Sequence, residues 1–387
     1  MAVKVVRQPN KIALLGSPTS AAALAAGREG APGALRAAGL VERLRAAGYD
    51  VTDLGDDPVQ VSKPDEESPR ARNLPAVLAA LEALRPRVEA AVKSGALPLI
   101  LSGDSSAALA TIAGVRRYFR RVSLIYMDGD ADLHTPATTS SGCVDGMVVA
   151  HLIGRGAAEM VRFWSEPPLV REPDAALFGV TRIDPAEEEL LRQSPMRRYF
   201  ADDVRSMGAA AAAQAAVERI HGSGHEFVLH LGVDVITDFQ ATDDPVSAGL
   251  RVEEVGEALE VFVRQNHLAA IEVAEYNPAR DTDGSGARII VNLLAEALSK
   301  RLEAVGMVPT IGEAVAVTAA AEPSAAPVTP PTAPEQLEQE PPLPNAAPGE
   351  AWSSETAEPS SEAPEPAPES PAAAASEVPE KASETPS

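Results

Sequence analysis

Short apolar runs alternate with longer amphipathic stretches along most of this 387-residue chain. The runs Lys11–Leu15, Asp50–Leu54, Leu97–Leu101, Val122–Met127, Ala175–Val180, Arg198–Ala201, Phe227–Val233 and Leu268–Ala274 are rich in aliphatic residues, except the more polar Asp50–Leu54 and Arg198–Ala201, and give way to Gly, Ser, Thr or an acid. That length and that punctuation predict buried strands. Between them apolar residues recur at helical spacing over Gly33–Ala47, Leu74–Ser94, Ala107–Phe119, Asp184–Gln193, Met207–Ile220, Val252–Gln265 and Gly286–Val305. A parallel strand pair needs a long crossover, which a helix supplies, so this alternation predicts an α/β domain. The expected core is a single, mostly parallel sheet of about eight strands covered on both faces.

The pattern stops near Thr318. Beyond it the chain is Pro, Ala, Glu and Ser, which cannot bury enough apolar surface to offset the entropy of ordering. Residues 1–317 are therefore read as one domain and 318–387 as a disordered acidic tail. Ala321–Ser387 holds 16 of the 34 prolines and carries −12 of the net −23 charge, leaving the folded part mildly acidic. This balance argues against nucleic acid as a partner. No apolar run reaches the roughly 20 residues that span a bilayer. Met1–Asn10 has two basic residues but no apolar stretch, and the chain has one cysteine. A reducing cytoplasm is the expected compartment.

The chemistry collects where strands end. Asp128-Gly-Asp-Ala-Asp132 follows Val122–Met127 and opens into the loop His134–Gly142. Ser102-Gly-Asp-Ser-Ser106, Asp234 and Glu275-Tyr-Asn-Pro278 follow three other strands. Ligands bind beyond the carboxyl ends of parallel strands, so these acids converge on a crevice. Carboxylates gathered there repel one another, and a divalent metal or a cationic substrate is the expected counter-charge. Other readings of the acidic run fit less well. An EF-hand loop needs Gly at Leu133 and Glu at Thr139, and a haloacid-dehalogenase-type phosphatase expects Thr or Val at Asp132. Cys143 near His134 could be a thiol nucleophile, although a lone cysteine is more often inert. His221, His225 and His230 read as surface and core residues.

Taken together, these segments resemble the ureohydrolases, and the arginases most of all. The resemblance runs from Gly27-Arg-Glu-Gly-Ala-Pro-Gly-Ala-Leu-Arg-Ala-Ala-Gly-Leu40 and Tyr49-Asp-Val-Thr-Asp-Leu-Gly55 to about Val305. It implies a three-layer α/β/α sandwich and hydrolysis of a guanidino carbon–nitrogen bond by hydroxide bridging two Mn²⁺ ions. Asp128, Asp132 and Asp234 match metal ligands of the family. Its two histidine ligands are here Ser105 and Asp130, and its last aspartate ligand is Ile236. Asp145 stands where the family has a proton-carrying histidine, and Glu275 matches the carboxylate that holds the guanidinium. Ser141, Asp184 and Glu187 match positions around the amino-acid end of arginine, while Cys143 and His134 depart from asparagines there.

These replacements leave too few donors for two ions. The expectation is one weakly held divalent cation, Mn²⁺, Mg²⁺ or Ca²⁺, on Asp128, Asp130, Asp132 and Asp234, with Asp145 and Glu275 as the catalytic positions. Without a two-metal bridge, hydrolysis is expected to be low or lost. The second reading is an inactive ureohydrolase fold that binds a small guanidine or a protein. The implied partners are a small guanidino or amino-acid ligand, other copies of the chain in a homo-oligomer, and a protein for the acidic tail.

Overall fold

A computed structural model of the chain describes residues 5–221 and 225–304. The tail reading, from Thr318 on, lies outside the described residues. Eight strands form one sheet: β1 (Lys11–Ser17), β2 (Asp50–Asp56), β3 (Leu97–Ser102), β4 (Val122–Met127), β5 (Ala175–Phe178), β6 (Arg197–Tyr199), β7 (Glu226–Gly232) and β8 (Leu268–Ala274). Their order is β2-β1-β3-β8-β7-β4-β5-β6, and every neighbouring pair is parallel. The sheet is thus wholly parallel.

Eleven helices are present among the described residues. They are α1 (Ala31–Ala37), α2 (Leu40–Ala46), α3 (Leu74–Ser94), α4 (Ala107–Arg116), α5 (Val148–Leu152), α6 (Ala158–Val161), α7 (Pro185–Gln193), α8 (Ala201–Met207), α9 (Ala209–His221), α10 (Val252–Val263) and α11 (Ser285–Ala304). Side chains alternate along a strand, so the central strands feed two cores. Ile12, Leu14, Leu99, Leu229 and Leu231 pack under α1, α2 and α8–α11. Ala13, Leu15, Ile100, Leu124 and Val228 pack under α3–α7 on the other face. Helices on both faces of one sheet make the three-layer arrangement, and the central strands are apolar on both sides for that reason.

The elements differ from the sequence reading in several places: α5, α6 and α8 were not expected, and Met207 ends α8 instead of starting the next helix. The stretch Gly33–Ala47 is two helices, because Gly39 takes φ +87° and breaks the ladder between α1 and α2. That left-handed backbone favours glycine. At the sheet's edge, β6 has three residues and Ala201 already starts α8. No helix among the described residues is long and apolar enough to cross a membrane.

Candidate functional site: a carboxylate cleft with two internal guanidinium groups

The central strands β3, β8, β7 and β4 point their carboxyl ends at one cleft of about 390 Å³. After β4, the Asp128 carboxylate turns back on its own loop and accepts the backbone N–H of Asp130 at 2.8 Å. Asp234 lies on the short turn that follows β7. Carboxylate oxygens of Asp128, Asp130 and Asp234 all fall within 4.8 Å of one another. Asp132, the fourth expected ligand, is outside that triad. Its backbone is left-handed at φ +49°, and its carboxylate accepts the Tyr126 hydroxyl.

The triad is already counter-charged from within. Arg182, on the loop after β5, donates its Nε to Asp130 Oδ1 at 2.7 Å and an Nη2 hydrogen to Asp130 Oδ2. The same Nη2 reaches Asp234 Oδ2 at 3.2 Å, and Nη1 donates to the Asp244 carbonyl at 2.7 Å. Burial disfavours the charge on Arg182, but Asp130 and Asp234 outweigh it and hold its pKa above the usual guanidinium value. Burial acts in the opposite sense on the acids. It pushes Asp130 up to about 6 against the pull of Arg182, and it raises Asp234 further.

A second guanidinium fills the other half of the cleft. Arg28 sits on the turn ahead of α1 and is 5% exposed. It donates Nη1 to Asp145 Oδ2 at 2.6 Å and Nε to Asp243 Oδ2 at 2.7 Å, and Nη1 also pairs with Glu275 Oε2. The remaining Glu275 oxygen accepts the Ser105 hydroxyl at 2.9 Å. Both Glu275 oxygens are therefore taken. Ser105 also gives its backbone N–H to Asp145 at 2.8 Å. Burial disfavours the Arg28 charge, yet Glu275, Asp145 and Asp243 hold its pKa well above the ordinary value. Ile236 is 2% exposed and belongs to the apolar core beneath α10 and α11.

The expected counter-charge, a metal or a cationic ligand, is thus supplied at least in part by Arg28 and Arg182. Neither was read as a site residue: Arg182 belongs to no motif, and Arg28, although inside the Gly27–Leu40 stretch that carries the resemblance, meets partners far away in sequence. Asp104, in contrast, does not face the cleft. Its carboxylate accepts from the Thr19 hydroxyl and the Ala22 N–H, each at 3.0 Å, and so fastens the end of β3 to the loop after β1.

Behind the triad lies a buried ion pair. His230 on β7 faces Glu272 on β8 in register, with Nδ1 3.5 Å from Glu272 Oε2 and Nε2 3.3 Å from Asp128 Oδ2. The ring stacks on Tyr126 at 4.1 Å between centroids. Burial opposes protonation, but Glu272 and then Asp128 raise the imidazole pKa to about 9. His230 therefore has a core position and an electrostatic role beyond the one expected for it. A histidine and a glutamate interrupting two apolar strands was the available signal. The side chain of His221 lies outside the described residues. Gly232 makes room for this arrangement, because a Cβ there would lie 1.9 Å from Asp128 Oδ2.

At the outer rim, Asp184 caps α7 by accepting the N–H groups of Ala186 and Glu187 at 2.8 and 3.0 Å. Glu187 returns a bond to the Asp184 N–H at 3.1 Å and takes the Leu133 N–H at 3.0 Å. This capping box ties the acidic loop to the helix. The second Asp184 oxygen lies 2.9 Å from His134 Nε2. Ser141 accepts the Cys143 N–H at 3.1 Å and lines the cleft. Burial, then Asp145, push the Cys143 thiol up to about 12, and its Sγ donates to the Ala22 carbonyl at 3.1 Å. A thiol so placed is a poor nucleophile at neutral pH.

Comparison with known proteins agrees with this geometry. Residues 10–299 match the model of the arginase family. The arginase of Bacillus caldovelox is 29% identical over 295 residues, 75% of this chain and 99% of its own length. The crystal structure of arginase from Bacillus cereus superimposes with a TM-score of 0.70 at 27% identity, covering 75% of this chain and 98% of the other. The arginase of Entamoeba histolytica, solved in complex with L-ornithine, shares the fold at 22% identity and a TM-score of 0.68. With a family match over residues 10–299, which span the whole sheet, this chain belongs to the arginase family.

Proposed function

We propose that this chain is a ureohydrolase-fold protein whose hydrolysis of guanidino carbon–nitrogen bonds is low or lost. The observation that carries the reading is the Arg28–Glu275 pair. Glu275 occupies the position at which a substrate guanidinium would dock, and an internal guanidinium is already there while Ser105 holds the other oxygen. An external guanidine forms a bidentate contact with Glu275 only by displacing both. Asp145, at the position of the family's proton-carrying histidine, is locked into the same network.

The family is metal-dependent, and the donor set here meets only part of that requirement. Two ions do not fit. Ser105 spends its hydroxyl on Glu275, and Ile236 offers an alkyl group. A single hard cation finds three oxygen ligands in Asp128, Asp130 and Asp234, with Asp132 at their margin, so binding of one Mn²⁺, Mg²⁺ or Ca²⁺ is weak. Of these residues, Asp145 and Glu275 are the positions closest to any remaining chemistry. Ser141, Asp184 and Glu187 are the contacts for the amino-acid end of a ligand.

The alternative, a binding module for a small guanidino or amino-acid ligand, draws on the cleft itself. Its volume of about 390 Å³ suits a small molecule, and its acidic lining suits a cation. The chain acts in the cytoplasm as a homo-oligomer under either reading, and its acidic tail serves solubility or a protein partner. Urea release from arginine and agmatine, measured on the full chain with added Mn²⁺, tests the proposal. Release at or near the background rate is expected, and turnover at about 1 s⁻¹ or faster, the ordinary range for enzymes, refutes it.

A further inference from the structure

The cleft holds nine acids in a structure whose family neutralises such a cluster with metal, yet the acids here are met by side chains of the chain itself. Arg28, Arg182 and Arg280 all line the cleft, and Arg182 is the most informative, because every nitrogen of its guanidinium is used. Nε and Nη2 clasp Asp130 from both sides, Nη2 reaches on to Asp234 at 3.2 Å, and Nη1 is fixed on the Asp244 carbonyl at 2.7 Å. The backbone at this point is also anchored. Arg182 pairs with Asp130 as an isolated parallel bridge, and the N–H groups of Thr181 and Arg182 both reach the Gly129 carbonyl, at 2.9 and 3.1 Å. The guanidinium therefore lies across two of the three carboxylates that converge within 4.8 Å of one another.

We propose that Arg182 is an internal counter-cation that takes the place of a metal ion at the Asp128–Asp130–Asp234 triad, so that a divalent cation binds there only by expelling it. The inference deepens the weak-metal part of the proposed function and rests on that reading. Three ionised carboxylates at such separations are stable only with positive charge among them. A guanidinium supplies it permanently, since it stays protonated at any physiological pH. A divalent ion entering the triad loses contact with Asp130 and Asp234 while Arg182 holds them, and it meets a like charge a few ångströms away. At the effective dielectric of a protein cleft, one unit charge at that distance changes divalent affinity by at least a factor of about a hundred.

The experiment is a calorimetric titration of Mn²⁺ into the full chain and into Arg182→Gln, with metal content after dialysis and the melting temperature with and without EDTA as second readouts. The wild-type chain is expected to keep no stoichiometric metal and to melt at the same temperature in EDTA. Arg182→Gln is expected to bind one Mn²⁺ at least about a hundredfold more tightly and to melt higher when the ion is added. Arg182→Lys retains the charge but not the fork, and its affinity should fall between the two. The inference is overturned if wild-type protein retains stoichiometric Mn²⁺, or if folded Arg182→Gln binds Mn²⁺ no better. It is also overturned if Arg182→Gln fails to fold even when produced and kept in Mn²⁺, because the ion should then substitute for the lost charge. Urea release is scored separately: arginine turnover by the wild-type chain refutes the proposed function, whereas the affinity ratio bears on Arg182 alone.

Discussion

Replacing Arg28 by leucine removes the positive charge on which Asp145, Asp243 and Glu275 converge. Asp243 keeps Arg280 at 2.7 Å and the Asn277 amide at 2.8 Å, so its loss is partial. Asp145 and Glu275 keep neutral donors from Ser105 but no opposite charge within the network described. Removing one partner of a buried ion pair costs about 3–5 kcal/mol, and two orphaned carboxylates place Arg28→Leu near 4 kcal/mol at pH 7.5. With a urea dependence of about 3 kcal/mol/M for a domain of this size, the unfolding midpoint should fall by about 1.3 M. The pH dependence gives a second, independent check. Burial already raises the Glu275 pKa, Arg28 being the largest influence that lowers it, so the leucine variant raises it further. A carboxyl group with a raised folded pKa binds its proton more tightly in the folded state, so acidification favours folding through the window between the unfolded and folded values. The deficit of the variant should therefore shrink between pH 7.5 and pH 5.5. A loss below about 1 kcal/mol, or a deficit that grows on acidification, would refute the account of Arg28 as the neutralising group.

Two further outcomes follow from the same reasoning. His230, with its pKa raised to about 9 from an unfolded value of 6.5, contributes stability that is complete below about pH 6.5 and is lost as pH rises through about 9. NMR titration of the ring should show a midpoint well above 7, and His230→Phe should abolish the stability change between pH 7 and 9.5; a midpoint below 7 would exclude the ion pair with Glu272. A chain ending at Thr318 is expected to keep its melting temperature within about 2 °C of the full protein and its metal content unchanged, and a larger drop would mean that the acidic tail contributes to the folded domain.

Much of the architecture could be read from the sequence because a parallel sheet covered on both faces writes its strands as uninterrupted aliphatic runs. Leu97–Ser102 and Val122–Met127 are buried at every position, and both were bounded correctly to within a residue. Where burial is weaker the reading slipped. The edge strand Arg197–Tyr199 is largely exposed and carries no apolar signature. The helical periodicity ran through Gly39, where only the backbone angle marks the break. Asp128, Asp234 and Glu275 were legible because each closely follows a strand, whereas Asp243 lies on a loop and was not singled out. The basic half of the cleft was not legible, since Arg28 and Arg182 approach from loops and their contacts are long-range in sequence: Arg28 meets Asp243 across 215 positions and Arg182 meets Asp130 across 52. No local pattern can announce such a pairing.

The mutual neutralisation of the cleft also constrains how the chain can diverge. Arg182 answers to Asp130 and Asp234, and Arg28 to Asp145, Asp243 and Glu275, each contributed by a different segment of the fold. Losing one arginine strands acids, and losing one acid strands an arginine, so each such step alone crosses a fitness valley. Exchanges that keep the charge count, an arginine leaving together with a carboxylate, avoid it. Among descendants of this sequence, positions 130 and 182 should therefore change together or not at all, a signature of epistasis set by electrostatics and independent of whether the cleft still performs chemistry.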